Sequence, residues 1–240
     1  DLAAMMIGSE LPSPETRESF VSYGVADHRD LHAAQPACPT RRSSDPKVLY
    51  RGEVVGIAGV EGNGQTELVE AVMGLEHVAN GTILLFGDDI TNASTGARRH
   101  LGIGYVPEDR QKDGMIKEFS LWENAALGHQ WQEPYGDGRW IDKDGALQQT
   151  EAIIRDFDVR TPGSDVPART LSGGNQQKLI VGREMMAKPK VLVASHPTRG
   201  IDVGAQAAIW DVIRDARRAG LGALLVSADL EELIGLSDTL

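Results

Sequence analysis

Short apolar runs alternate along the chain with stretches of helical period. Val54 to Ala58, Ile103 to Val106, Val191 to Ala194 and Ala223 to Val226 are brief and apolar throughout, the pattern of strands buried on both faces of a parallel sheet. Thr82 to Phe86, followed by Gly87-Asp88-Asp89, predicts a strand running into a turn, and Pro107 stops the Ile103 strand. Thr66 to Met73 predicts a helix. Ile209, Val212, Ile213 and Ala216 keep i, i+3, i+4, i+7 spacing, which gives one amphipathic helix. Residues 117 to 160 are expected to be mainly helical, with Trp122, Leu127 and Trp131 on one side and Ile153, Ile154 and Phe157 later. Strands alternating with helices imply an α/β domain built on a parallel sheet.

Two glycine-rich stretches interrupt this pattern. Gly59 to Gly64 lies between a predicted strand and a predicted helix, the context a phosphate-binding loop requires. The stretch Gly59-Val-Glu61-Gly62-Asn63-Gly64-Gln65-Thr66 meets the P-loop pattern G-x-x-x-x-G-K-[ST] except that Gln65 stands where the lysine should. Its glycines leave backbone amides free to wrap a phosphate, and Thr66 can offer a hydroxyl to Mg²⁺. The loss of the lysine removes a charge-assisted contact, so nucleotide binding is expected to survive weakened. The plain alternative is an ordinary strand–helix turn. The second stretch, Leu171 to Lys178 (LSGGNQQK), precedes the apolar-periodic run Leu179, Ile180, Arg183, Met186. Adjacent glycines disfavour a helix interior, so the stretch predicts a helix N-terminus with Ser172 near the cap and the amides of Gly173 and Gly174 able to face an anion.

Composition narrows the partners. The chain has 240 residues, 41% of them hydrophobic and 25% charged, enough to bury a proper core. A net charge of −11 argues against a nucleic-acid surface, which needs a clustered basic excess. No apolar run approaches the ~18 residues of a membrane span, and the single cysteine, Cys38, excludes a disulfide framework. Membrane contact would come through a partner.

The glycine loop, LSGG and the turn Pro197-Thr-Arg-Gly-Ile-Asp202 together resemble the ATP-binding cassette family, with LSGG as its signature. The resemblance covers roughly residues 47–240 and implies a P-loop NTPase fold with a helical subdomain inserted at about 115–175. It also implies ATP and Mg²⁺ as cofactors. In the family a strand ends in a metal-binding Asp followed by a Glu that polarises the attacking water; here Val191–Ala194 is followed by Ser195 and His196. His196 could in principle act as a base, but the sequence shows no neighbour to orient it. The family's switch histidine position is Ala228, and Glu108 stands where the Q-loop glutamine is usual. The resemblance therefore implies that this cassette's own site binds ATP and does not cut it. What it keeps is the part a cassette lends to its partner in a head-to-tail pair: Ser172, Gly173, Gly174 and Asp202, acting in trans.

LSGGNQQK, VPEDR and PTRGIDVGA resemble the second cassette of bacterial simple-sugar and nucleoside importers, and Gln65 with VRTPG leans towards the nucleoside members. That branch implies a first cassette normally on the same polypeptide, transmembrane permease subunits, and a substrate-binding protein reached indirectly. It implies a peripheral position on the cytoplasmic face of the plasma membrane, with the permease docking around residues 108–127. The alternative within the family is a soluble ATPase of the translation or repair type, whose members usually keep working sites and basic surfaces.

The ends carry less. Residues 1–11 are expected to be the tail of a preceding cassette, and the stop at Leu240 suggests truncation at that end too. Residues 12–46 show little periodicity and cluster Pro, Ser, Arg and His. Pro39 to Asp45, PTRRSSD, resembles a translated sequencing adapter, so the segment is an assembly artefact or a solvated basic linker.

Overall fold

The computed structural model describes residues 23–26, 47–59 and 62–240. The strands are β1 (Tyr23–Ala26), β2 (Lys47–Tyr50), β3 (Val54–Ala58), β4 (Ile83–Leu85), β5 (Asp88–Asp89), β6 (Ile103–Val106), β7 (Val191–Ser195) and β8 (Gly222–Ser227). The helices are α1 (Gln65–Met73), α2 (Thr95–His100), α3 (Leu121–Ala126), α4 (Lys143–Asp156), α5 (Gly173–Met186), α6 (Val203–Arg218) and α7 (Leu230–Leu236). One sheet has the order β3-β8-β7-β6 with every pair parallel. The second has the order β2-β1-β4-β5, with β1 parallel to both neighbours and β4 antiparallel to β5.

Alternation along the central strands divides the core. Leu192, Ala194, Ala223 and Leu225 face a cluster containing Leu179, Ile180, Ile209 and Ile213. Val191, Val193, Leu224 and Val226 face another, with Val69, Val72, Met73, Ile83 and Leu85. Successive side chains of a strand point to opposite faces, so a strand covered on both sides must be apolar at every position. That is why these runs read as continuous rather than alternating.

The region expected to be mainly helical is only partly so. Helix α3 ends at Ala126; Leu127 has left helical geometry and Gly128 takes φ 76°. Residues 127–142 then form an irregular segment before α4, so Trp122, Leu127 and Trp131 do not share one helix face. Trp131 instead stacks on His100 at 3.6 Å between ring centroids. Lone apolar residues at helical spacing mimic a helix when glycine and proline between them forbid one. Two further elements went unforeseen. Strand β1 lies in a segment without periodicity, yet pairs Tyr23 to Ala26 with Lys47 to Tyr50 in register. Helix α2 has no apolar stripe; it is held by the buried Arg98, whose guanidinium donates to the carbonyls of Ala71, Val72, Thr91 and Ala93 at 2.6–2.9 Å. Burial lowers the Arg98 pKa, so these carbonyl bonds offset a real desolvation cost. The helix expected over Thr66 to Met73 and the apolar strands form within about two residues of their predicted bounds, and Ile209 to Ala216 fall inside the longer α6.

Helix α5 runs between the sheet and α3–α4 and is buried along most of its length. Its Glu184 is wholly enclosed. Arg99 Nη2 donates to both carboxylate oxygens at 3.2 and 3.1 Å, Arg183 Nε to Oε1 at 3.0 Å, and the Tyr105 amide to Oε2 at 3.1 Å. Arg183 in turn donates through Nη1 to the carbonyls of Gly114 and Asn124 at 3.0 and 3.2 Å. Burial by itself would raise the Glu184 pKa; Arg183, His129 and Arg99 reverse that and hold it well below the usual carboxylate range.

Glu184→Gln should therefore destabilise the domain by about 3–5 kcal/mol, because it strands two buried guanidinium charges. The folded carboxyl is depressed relative to the unfolded chain, so its contribution is present above the ordinary value of 4.5 and is lost as pH falls below it. Urea unfolding at pH 7 and across the acid range should show the gap between wild type and Glu184→Gln closing at low pH; a constant gap would refute this account.

Candidate nucleotide site

Because β3, β6, β7 and β8 are parallel, the loops leaving their C-terminal ends lie along one edge of the sheet. The predicted site residues fall on those loops or on helices that start there.

The glycine loop follows β3 and ends at the N-terminus of α1. Gly62 and Gly64 take φ 88° and 98°, and a Cβ at either would touch nothing within 4 Å. Their requirement for glycine is conformational rather than steric. Gln65 opens α1 and folds back over the loop. Its Oε1 accepts from the Asn63 amide at 3.2 Å, and its amide nitrogen fills the space a Cβ on Gly59 would need. A neutral side chain thus turns its own carbonyl towards a loop amide, in the orientation a phosphate oxygen would take. Thr66, one residue on, is exposed with its hydroxyl available. Glu61 lies outside the described residues.

Ser195 closes β7 and is buried, 3% exposed. His196 follows in left-handed geometry (φ 47°), its amide donating to the Val226 carbonyl at 2.7 Å. The fold brings His196 to Ala228: the Ala228 amide donates to Nδ1 at 3.4 Å. Among the described residues no group of three or more His, Cys, Asp or Glu could hold a metal ion. Among the described residues, the loop amides would meet a nucleotide's phosphates and the Thr66 hydroxyl would meet Mg²⁺.

On the other side, Ser172 caps α5, and its Oγ accepts from Asn175 N and Nδ2 at 3.4 and 3.0 Å. Asp202 caps α6, accepting the Ala205 amide at 3.0 Å, and that bond is the main cause lowering its pKa. The two helix starts abut: a Cβ on Gly174 would sit 2.8 Å from both Asp202 Oδ2 and Ala205 Cβ. Glycine is required there by close approach. Glu108, which stands where the Q-loop glutamine is usual, pairs with Arg199 at 2.6 Å. A buried carboxylate that sequence reasoning missed, Glu232, accepts from Thr198 Oγ1 at 2.7 Å and Trp210 Nε1 at 3.2 Å. No periodic or motif signal marked it, since its partners are far away in the chain.

A glycine loop between strand and helix at the C-terminal edge of a parallel sheet defines a P-loop nucleotide-binding domain of the α/β class. The family model described as ABC transporter matches residues 47–199, and the chain belongs to that family. It is 45% identical over 187 residues, 78% of its length, to the guanosine import ATP-binding protein NupO of Bacillus subtilis, covering 37% of that protein. It is 42% identical to the glucose import ATP-binding protein TsgD13 of Haloferax volcanii and to the nucleoside import ATP-binding protein NupA of Lactococcus lactis, in each case across 99% of this chain and 44% or 47% of the relative. Both of these alignments run through the segment ahead of Lys47, and the chain spans less than half the length of these curated relatives. A nucleotide-free ATP-binding cassette from an ABC transporter superposes with a TM-score of 0.66 at 24% identity, covering 79% of this chain and 76% of that one; this similarity speaks for the fold.

Gln65→Lys removes the self-contact with Asn63 and adds a cation aimed at the phosphates. Titration with a fluorescent ATP analogue should show about ten-fold tighter binding, the worth of one charge-assisted contact. Phosphate release by this chain should stay at background, because Ser195, His196 and Ala228 are untouched. Sustained turnover by the variant would mean those positions are misassigned.

Proposed function

We propose that this chain is the second, degenerate cassette of a bacterial importer ATPase for nucleosides or simple sugars. It binds ATP weakly on its own loop through Gly59, Glu61, Gly62, Asn63, Gly64 and Thr66, with Gln65 as a poor substitute for lysine. Its main contribution is made in trans. Ser172, Gly173, Gly174 and Asp202 close over ATP held by the partner cassette, which the relatives' lengths lead us to place on the same polypeptide. The relatives' names support nucleoside or sugar import, and the −11 charge speaks against a nucleic-acid partner. Residues 1–11 would then end the first cassette, 12–46 would link the two, and the helical insertion at about 115–175 would meet the permease. Among the described residues no helix is long and apolar enough to cross a membrane, so on this reading the chain sits on the cytoplasmic face, held there by permease subunits, and meets the substrate-binding protein only through them.

The observation that carries the reading is an asymmetry. The starts of α5 and α6 are built to present amides, a hydroxyl and a carboxylate together, with Gly174 allowing the contact. The ends of β7 and β8, by contrast, hold a buried serine and an alanine where a metal carboxylate and a switch histidine are expected. Preorganised amides at a helix start stabilise negative charge developing on a transferred phosphoryl group without reorganisation. Hydrolysis on this reading occurs on the partner's ATP, and this chain's part is to cap the γ-phosphate.

Ser172→Arg in the full two-cassette protein tests this. A long cation would block closure and displace the helix-end donors, and a shift of ~1 Å can cost about 10²-fold in rate. ATPase activity and uptake should be almost abolished while ATP binding to the first cassette is kept. Ser195→Ala should be nearly silent. A harmless Ser172→Arg alongside an inactive Ser195→Ala would place the working site on this chain instead.

A further inference from the structure

Two turns leaving different strands meet beside the signature helix. The turn after β6 carries Glu108 and Arg110, and the turn after β7 carries Arg199 and Gly200. Glu108 Oε1 accepts from Arg199 Nη1 at 2.6 Å. In the reverse direction Arg110 Nη1 donates to the Arg199 carbonyl at 2.7 Å and Nη2 to the Gly200 carbonyl at 3.2 Å. The same guanidinium lies against the first turn of α5: a Cβ on Gly173 would fall 2.7 Å from Nη2 and 3.4 Å from the Gly200 carbonyl. One arginine thus touches both turns and the start of the helix that Ser172 caps. Two residues past Gly200, Asp202 begins α6 against Gly174. A planar fork with fixed donor spacing suits two successive carbonyls, which a single ammonium cannot hold in the same geometry.

We propose that Arg110 is a positioning residue for the reaction in trans. Its fork ties the 199–200 turn to the first turn of α5, so that Asp202 and the Ser172–Gly174 amides meet the partner's ATP as one rigid edge. The Glu108–Arg199 pair latches the same two turns from the other side. The inference rests on the proposed lending of that edge, and it assigns Glu108 a purpose of its own. Its carboxylate serves as the Arg199 partner, so installing the glutamine usual in the family should impair the protein rather than repair it.

The test uses the full two-cassette protein with its permease in proteoliposomes, with Ser172→Arg measured in parallel. Arg110→Ala should lower kcat for ATP hydrolysis, and uptake with it, by about ten-fold while KM for ATP changes less than about two-fold, since geometry rather than binding is lost. Arg110→Lys should fall between wild type and Arg110→Ala. Glu108→Gln and Arg199→Gln should each cost about three-fold, in keeping with a partly exposed ion pair. The double exchange Glu108→Arg with Arg199→Glu should recover more activity than either of its single changes. If Arg110→Ala proves too unstable to assay, Arg110→Lys keeps the proposal testable, because a kcat loss per ATP-binding-competent protein with an unchanged unfolding midpoint is not what a merely structural loss would give. Unchanged kcat in Arg110→Ala, a KM effect alone, or purely additive losses in the double exchange would overturn the positioning role. If Ser172→Arg abolishes turnover while Arg110→Ala is silent, only this inference falls. If Ser172→Arg is harmless, the lending of the edge falls, and this inference with it.

Discussion

A carboxylate taken wholly out of water must be met by charges and donors that cannot easily move away, and Glu184 imposes that condition on the middle of this domain. Its donors come from three directions: Arg99 from the end of α2, the Tyr105 amide from β6, and Arg183 from its own helix. Arg183 passes the constraint on to Gly114 and Asn124, and so to the segment that leads into α3. Helix α5 is thereby fixed to β6 of the sheet and to α3 at once. The start of that helix is where Ser172, Gly173 and Gly174 sit, two turns or more from the carboxylate. Placement of the signature loop is set by a buried charge at the far end of the helix that carries it.

The parallel sheet explains why the remaining parts converge. Loops after β3, β6, β7 and β8 share one edge, and sequence-distant residues meet there without any local preference for doing so. The edge is built unevenly. Around the starts of α5 and α6, side chains cap amides, glycines permit close contact, and the Arg110 fork binds neighbouring carbonyls. Around the ends of β7 and β8 the contacts are those of a turn: a left-handed His196 whose amide donates to the Val226 carbonyl and whose ring Nδ1 accepts from the Ala228 amide. Gln65 extends that inward-turned character to the glycine loop, where its amide binds the loop itself.

Elements whose information is local were legible beforehand. The central strands announce themselves as unbroken apolar runs because both faces are covered, and α6 does so through one apolar stripe. Ser172 was placed at the cap because adjacent glycines after a hydroxyl residue have few other uses. Elements held by distant partners were not legible. Helix α2 has no stripe and exists around the Arg98 guanidinium, whose four carbonyl acceptors come from α1 (Ala71, Val72) and from the β5–α2 connection (Thr91, Ala93). The irregular stretch from Leu127 to Asp142 reads as helix because Leu127 and Trp131 stand four residues apart, while Gly128 and Pro134 impose another course.

What the sequence by itself determined is the inventory of side chains: Gln65 after the glycines of the first loop, Ser172 ahead of Gly173 and Gly174, and Ser195 and His196 after the Val191 strand. Motifs of this kind are contiguous, and backbone conformation within a few residues is enough to express them. What only the tertiary structure decided is pairing. Nothing in the sequence matches Glu108 to Arg199, Arg110 to the Arg199 and Gly200 carbonyls, or Glu184 to Arg99, since those partners lie far apart in the chain and meet only when β6, β7 and α5 are packed side by side. The free energy of a buried or shared polar contact depends on which groups surround it, and that is a property of the folded arrangement, not of any segment alone.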